Sequence, residues 1–397
     1  MTHNLSLLPM MGMDTETDET RMASFGDNPA VFLTDAVNVN ISAEGRPSVR
    51  AGLRRVSDLQ LLDIVHDRLH GDTFGRDAAH NLVRVDTTAG TADVLTYAGD
   101  MPLSLLSQAT RTLFATAAGL VEFDGVQAYP FALSTPPAPM LAAMDNGALA
   151  AGSYRVALAW LRGGMESACS QTAAVTVAAN GRIRATLPLC LDATADKVRV
   201  FVSDADGGRL RAVGDFELTQ TEIELASVSA LNGSEPRFAH MEPMPSGLYL
   251  CQWAGRLCVA RANVLHFSEP MAWHIHDPRH GFIQMPQRIT FLAPVDGGLW
   301  VGQRDHVAFI SGQDVRDVQV RRVQARAPVP SSAVVVDGSI ARETGGRPAA
   351  VWLAENGHVI GMPDGTLLEP RANRLGGIAG ASGTTVTLNS KLLTLTR

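Results

Sequence analysis

The sequence predicts an all-β protein, and three observations carry that expectation. Its apolar residues come in short runs, the runs are punctuated by Gly, Asp and Asn turn dipeptides, and long helical periodicity is nearly absent. Runs of this kind cover 82–86, 113–124, 153–161, 197–204, 255–264, 298–310, 349–355 and 384–395. Asp124-Gly125, Asn180-Gly181, Asp337-Gly338, Asn356-Gly357 and Asp364-Gly365 supply the punctuation. Such dipeptides reach the positive φ that tight hairpins require. The two best helical windows, 57–66 and 101–110, score no better than short connectors.

The turns also recur at a longer period. Residues 349–367, AAVWLAENGHVIGMPDGTL, read as strand, Asn-Gly hairpin, strand, Asp-Gly turn, strand. Residues 113–126 repeat that grammar, and 257–267 followed by 289–309 repeat it more loosely. Successive up-down hairpins describe propeller blades of about 40 to 50 residues, a plan that leaves few strand edges exposed. One segment breaks the pattern. The stiff Pro-rich stretch 134–139, STPPAP, is followed by strand-like runs at 152–161, 171–177, 182–187, 197–203 and 211–216, and 242–247, EPMPSG, closes it. That density of short strands suits a small fibronectin- or immunoglobulin-like β-sandwich. The expected order is an N-terminal arm at 1–30, a first propeller part at 31–133, a sandwich insertion at 134–245 and a second propeller part at 246–397. Taking the insertion away leaves 285 of the 397 residues, enough for about six blades.

Composition narrows the function. Lysine plus arginine number 33 against 40 acids, a net charge of −7, whereas a general nucleic-acid binder presents a basic face. No window approaches the roughly 18 apolar residues of a membrane helix. The start, MTHNLSLLPMMGMDTETDET, has no basic flank for a secretory signal. Cys169, Cys190, Cys251 and Cys258 are too scattered for a disulfide framework and have no zinc spacing. The expectation is a chain folded in the cytoplasm, with buried thiols and no membrane insertion.

Candidate chemistry is thin. His274 and His276 share one face of a strand, as a pair of metal ligands can, but Asp277-Pro278 starts a turn and no further ligand is indicated. Asp14, Glu16, Asp18 and Glu19 crowd the N-terminal segment, while Glu242, Glu269 and Asp277 stand alone. Glycoside chemistry needs two carboxyls at a set separation and aromatic platforms, which aromatics at 6% scarcely supply. There is no P-loop, dinucleotide fingerprint or nucleophile elbow. Arg316, Arg321, Arg322 and Arg326 form a basic stretch, but the interleaved Asp314 and Asp317 make it a solvated or subunit-facing strand. No catalytic, cofactor-binding or metal-binding residue is assigned.

Four blocks in order carry a resemblance. They are 35–52, DAVNVNISAEGRPSVRAG; 152–161, GSYRVALAWL, with Glu166-Ser167; 252–260, QWAGRLCVA, with 265–270, LHFSEP; and 298–301, GLWV, with 309–312, FISG. Together they resemble the tail-hub or nozzle (packaged-DNA stabilisation) proteins of tailed, mainly short-tailed, bacteriophages. The resemblance implies a non-enzymatic virion protein, made in the host cytoplasm, that forms a homo-oligomeric ring, a hexamer, below the portal and adaptor. It would retain packaged DNA, meet a tail fibre or needle, and provide the ejection path without binding DNA specifically and without a cofactor. An acidic chain fits such a channel, because each phosphate neutralised would add friction. The alternative is a monomeric propeller module that binds a carbohydrate or protein ligand.

Overall fold

The computed structural model describes residues 9–24, 30–42, 44–52, 55, 57–227, 233–312, 314–339, 345–388 and 391–397. Among these the regular structure is all β, apart from two 3-10 turns, Glu19–Arg21 and Val315–Asp317. The chain divides into two compact units, one comprising 60–86 with 91–284, the other 1–59, 87–90 and 285–397.

In the first unit, Leu61–His66, Thr73–Asp77, Asn81–Asp86 and Thr91–Tyr97 form a four-stranded antiparallel meander. Leu105–Gln108, Arg111–Thr116, Gly119–Phe123 and Ala128–Pro130 form the next. Strands rich in Val, Leu and Phe suit a pleated surface with both faces covered. These two sheets bury a shared core, in which Phe74 and Leu82 of the first meet Phe114 and Phe123 of the second. The Phe74 ring lies 4.7 Å from Phe114 and 5.6 Å from Phe123, both edge-on, the arrangement ring quadrupoles prefer. Leu113, Ala115 and Leu120 then pack with Met244, Leu250, Leu257 and Val259, which belong with a sheet ordered 242–243, 272–276, 264–269, 256–261, 248–253. The windows 57–66 and 101–110, expected as connectors, each end in an edge strand, Leu61–His66 and Leu105–Gln108. One-sided alternation on an edge strand imitates a weak helical period.

Residues 140–225 build two sheets over one core. Met140–Leu149, Gly181–Thr186 and Glu222–Leu225 make the smaller. Gly152–Arg162 is the hub of the larger, pairing with Met165–Glu166, Ala173–Val177 and Lys197–Ser203, the last of which pairs with Leu210–Glu217. Val156, Leu158, Trp160, Ile183, Val198 and Val200 fill the space between. The strand Met140–Leu149 was not expected, since its MLAAMDNGAL is poor in β-branched residues.

In the second unit, Ile289–Val295, Gly298–Gln303, Val307–Ser311 and Gln319–Val323 form one meander, and Val334–Gly338, Gly346–Ala354, Gly357–Gly361 and Leu367–Leu368 another. Their common core holds Phe291, Trp300, Phe309 and Trp352, with the two indoles 5.5 Å apart. Within the segment 1–30, expected as an arm, two short strands join a sheet: Met10–Met13 runs parallel to Ala30–Leu33, and Ala23–Ser24 antiparallel to it. Residues 1–8 and 25–29 lie outside the described residues. What anchors this segment is Asp14, 1% exposed, which accepts hydrogen bonds from Thr17 and from Arg374 Nη1 at 3.0 Å.

Buried serines at strand ends extend the ladders. Ser167 Oγ accepts from Trp160 N, Ser170 Oγ from Leu158 N, Ser203 Oγ from Arg155 N and Ser268 Oγ from Leu257 N, all at 2.9 Å. Each hydroxyl donates in turn to the carbonyl of the following residue, so donor and acceptor are both satisfied. Two of them, Ser167 and Ser268, lie within the E-S and F-S-E-P blocks.

The indole pair leaves no room at Gly361, where an added Cβ would come within 2.7 Å of both Trp300 and Trp352. Gly361→Ala is expected to destabilise by about 1–3 kcal/mol through overpacking, read as a lowered denaturation midpoint in circular dichroism.

Candidate functional site

The most strongly organised polar group is Asp67, which is fully buried. It sits in the loop between Leu61–His66 and Thr73–Asp77 and accepts from Leu69 N at 2.9 Å and His70 Nδ1 at 2.8 Å. From the neighbouring sheet it accepts from Ser107 Oγ at 2.6 Å and Thr112 Oγ1 at 2.5 Å. Burial alone would raise its pKa, but the bonds from Ser107, Thr112 and His70 together hold it well below the usual carboxylate range. The bond to Asp67 in turn raises the pKa of His70. An Asp, a His and two hydroxyls invite comparison with a nucleophilic triad, but the geometry refuses it. Both hydroxyls donate to the carboxylate itself, and His70 Nε2 faces the Ala109 carbonyl. The group is an anchor joining two sheets. The Asp-x-x-His spacing recurs at Asp77-His80 and Asp277-His280. Asp277, also buried, accepts from Arg279 N and His280 Nδ1, and these bonds outweigh burial to bring it to about 2.

A cleft of about 480 Å³ opens in the same unit, of the size that holds small ligands. Six segments converge on it, contributing Arg111, Phe131, Glu166, Arg237, Gln252 and Trp273 among others. Glu166 is a buried organiser: Oε2 accepts from Arg199 Nη1 at 3.0 Å, Oε1 from Arg237 N at 3.2 Å, and its carbonyl faces His274 Nε2 at 3.0 Å. Arg111 is held by Glu122 at 2.9 Å and by Gln108. Burial, reinforced by Arg162, Arg237 and Arg111, lowers the His274 pKa.

The histidines singled out from sequence part company. His274 turns to Glu166 and lies edge-on to Phe238, whereas His276 reaches the Phe267 carbonyl at 2.9 Å and His266 Nδ1 at 3.4 Å. Among the described residues no group of three or more His, Cys, Asp and Glu side chains is placed to hold a metal ion. Asp14 is the anchor described above, Glu269 lies 3.7 Å from Arg256, and Glu242 lies in a two-residue strand. Arg321 donates to the Gly365 carbonyl over the Phe309 ring, Arg326 pairs with Glu355, and Asp314 caps the 3-10 turn before them. The four cysteines are free; Cys169, Cys251 and Cys258 are buried and Cys190 is half-buried. Asp67 and the cleft were not singled out from sequence. The recurring Asp-x-x-His was the available signal for the first; the second is assembled from residues far apart in the chain.

No family model matches the sequence, and no curated protein is significantly similar to it. Solved structures similar to it include BBS1N in complex with ARL6DN, at 9% identity and TM-score 0.34, covering 86% of this chain and 92% of that one. The Myceliophteria thermophila Cps50 (Swd1) β-propeller domain follows at 10% and 0.31, covering 82% and 89%. BamB from Moraxella catarrhalis matches at 13% and 0.26, covering 74% and 82%.

Asp67→Asn keeps the shape but removes the charge that five donors address. It is expected to cost about 3 kcal/mol, seen as a lowered midpoint in urea unfolding. A separate effect of pH arises at His266, which burial, His276 and Arg261 hold at about 4. The unfolded chain takes up that proton near pH 6.5 while the folded chain resists it, so stability falls as pH drops from 6.5 to 4. Asp67, with its lowered pKa, contributes fully above the ordinary carboxylate range and loses that contribution as pH falls through and below it. His70, with its raised pKa, stabilises fully below 6.5 and loses its contribution on the alkaline side. His266→Asn is therefore expected to flatten the 6.5-to-4 loss by on the order of 2 kcal/mol, measured by thermal melts across that range.

Proposed function

We propose that the chain is a structural subunit of a bacteriophage tail, a hub that forms a ring around the DNA channel below the portal and adaptor. In this reading the four-stranded meanders are blades of a six-bladed propeller, and the two sheets of 140–225 are its fibronectin- or immunoglobulin-like insertion. The observation that carries it is the apolar surface left open on edge strands. Leu62 and Ile64, two apart on one edge strand, are 40% and 59% exposed. Val94 and Tyr97, on the opposite edge strand of the same sheet, are 62% and 58% exposed. A protein that works alone blunts its sheet edges with charge, while a subunit has neighbours to cover such side chains. The four ordered sequence blocks and the net charge of −7 support the same assignment, the charge because a channel wall must let phosphates pass. In the virion its partners would be further copies, the portal and adaptor, and a fibre or needle.

The second reading, a monomeric propeller module that binds a carbohydrate or protein, is favoured by the cleft beside Trp273. Solution mass separates the two. Native mass spectrometry is expected to give a closed ring of six copies, alone or with the portal and adaptor. Ile64→Asp with Val94→Asp should return it to monomers of unchanged circular dichroism. A chain that stays monomeric throughout, neighbours included, contradicts the hub.

A further inference from the structure

We propose that the cleft lined by Arg237, Trp273 and Met271 binds a carboxylate-bearing saccharide, of the uronic- or sialic-acid class. The inference deepens the second reading and rests on its binding site. It concerns one unit only and holds whether or not copies close into a ring.

The charge balance inside the cleft selects the ligand's sign. Both carboxylate oxygens of Glu166 are taken, one by Arg199 and one by the Arg237 amide. Arg111 is satisfied by Glu122 and Gln108. The Arg237 guanidinium lies 5.0 Å over the Phe238 ring, and among the described residues it has no hydrogen-bond or ion-pair partner. The unmet charge at the cleft is therefore positive, in a chain that is acidic overall. A lone planar guanidinium is the natural bidentate partner of one carboxylate.

The remaining lining suits a sugar ring. Trp273 is half-buried, with its indole fixed by a 2.9 Å bond to the Gly255 carbonyl, and Phe131 lines the cleft with it. A flat aromatic face accepts the apolar face of a pyranose, and the Gln108 amide NH2, whose oxygen holds Arg111, and the Gln252 amide can meet its hydroxyls.

The rim supplies an independent observation. The turn from Val264–Glu269 into Ala272–His276 is Pro270-Met271, and Met271 sits at φ 58. That position after a Pro favours Gly or Asn, and a side chain there costs roughly 1 kcal/mol. Yet the residue is a methionine, 87% exposed and lining the cleft. Strain that gains the fold no packing is the kind kept at binding sites; a mobile thioether suits an apolar contact with a ligand.

Isothermal titration with N-acetylneuraminic acid and with oligogalacturonate, against the neutral methyl ester of the latter, tests the proposal. One of the two acids should bind saturably in the millimolar range or tighter, and esterification or Arg237→Ala should weaken its counterpart at least tenfold. Met271→Gly should raise the melting temperature while weakening binding severalfold, a combination that a purely structural turn would not give. Absence of saturable binding by both acids up to about 20 mM, equal binding of the ester, or unchanged binding in either folded variant overturns it. Ring assembly, read by mass, is unaffected by any of these outcomes.

Discussion

A sheet with apolar side chains on its faces must bury them against another layer. That constraint governs this chain. Each meander described above is completed by the face of its neighbour within the same unit: Phe74 and Leu82 by Phe114 and Phe123, Leu113 and Leu120 by Leu257 and Val259, Trp300 by Trp352. Apolar packing is permissive about orientation, so directional bonds fix the fit. Asp67 does this between the first two sheets, accepting from Ser107 and Thr112 across the join.

Much of this was legible in the residues. The all-β class follows from run length and turn chemistry, and Asn356-Gly357 does turn the hairpin expected of it, with Gly357 at φ 102. The strands at 153–161 and 197–204 were visible because they are dense in Val, Ala and aromatic residues. Met140–Leu149 was hidden, since its AMDNGA core reads as turn chemistry, and only pairing with Gly181–Thr186 makes it a strand. The edge strands Leu61–His66 and Leu105–Gln108 were hidden for a related reason: an edge is half-solvated and has a mixed pattern. The candidate site was less legible still. His274 and His276 share a strand yet serve different neighbours, Glu166 and Phe267, and no strand period reveals that. Arg237 and Trp273 line one cleft only because segments far apart in the chain fold together there.

Several of the polar groups in this chain are spent on holding the fold together. The acids and histidines that could suggest chemistry are held in structural roles, as Asp14, Asp67 and Asp277 illustrate. Two features bear on binding: apolar side chains on edge strands, which call for neighbours, and the Arg237 guanidinium at the cleft, which calls for an anion. A tail hub uses the first kind to close a ring; a binding module uses the second. The two are compatible in one chain, because the cleft is built by residues other than those on the 61–97 edges.

The dependence of each sheet on its neighbour's face is tested most directly by native-state hydrogen exchange at increasing urea. If the faces are shared as described, the slow amides of 61–97 and 105–130 will open together, with one free energy and one denaturant dependence. Two separate opening energies, with one sheet retaining protection after the other has lost it, would contradict the dependence.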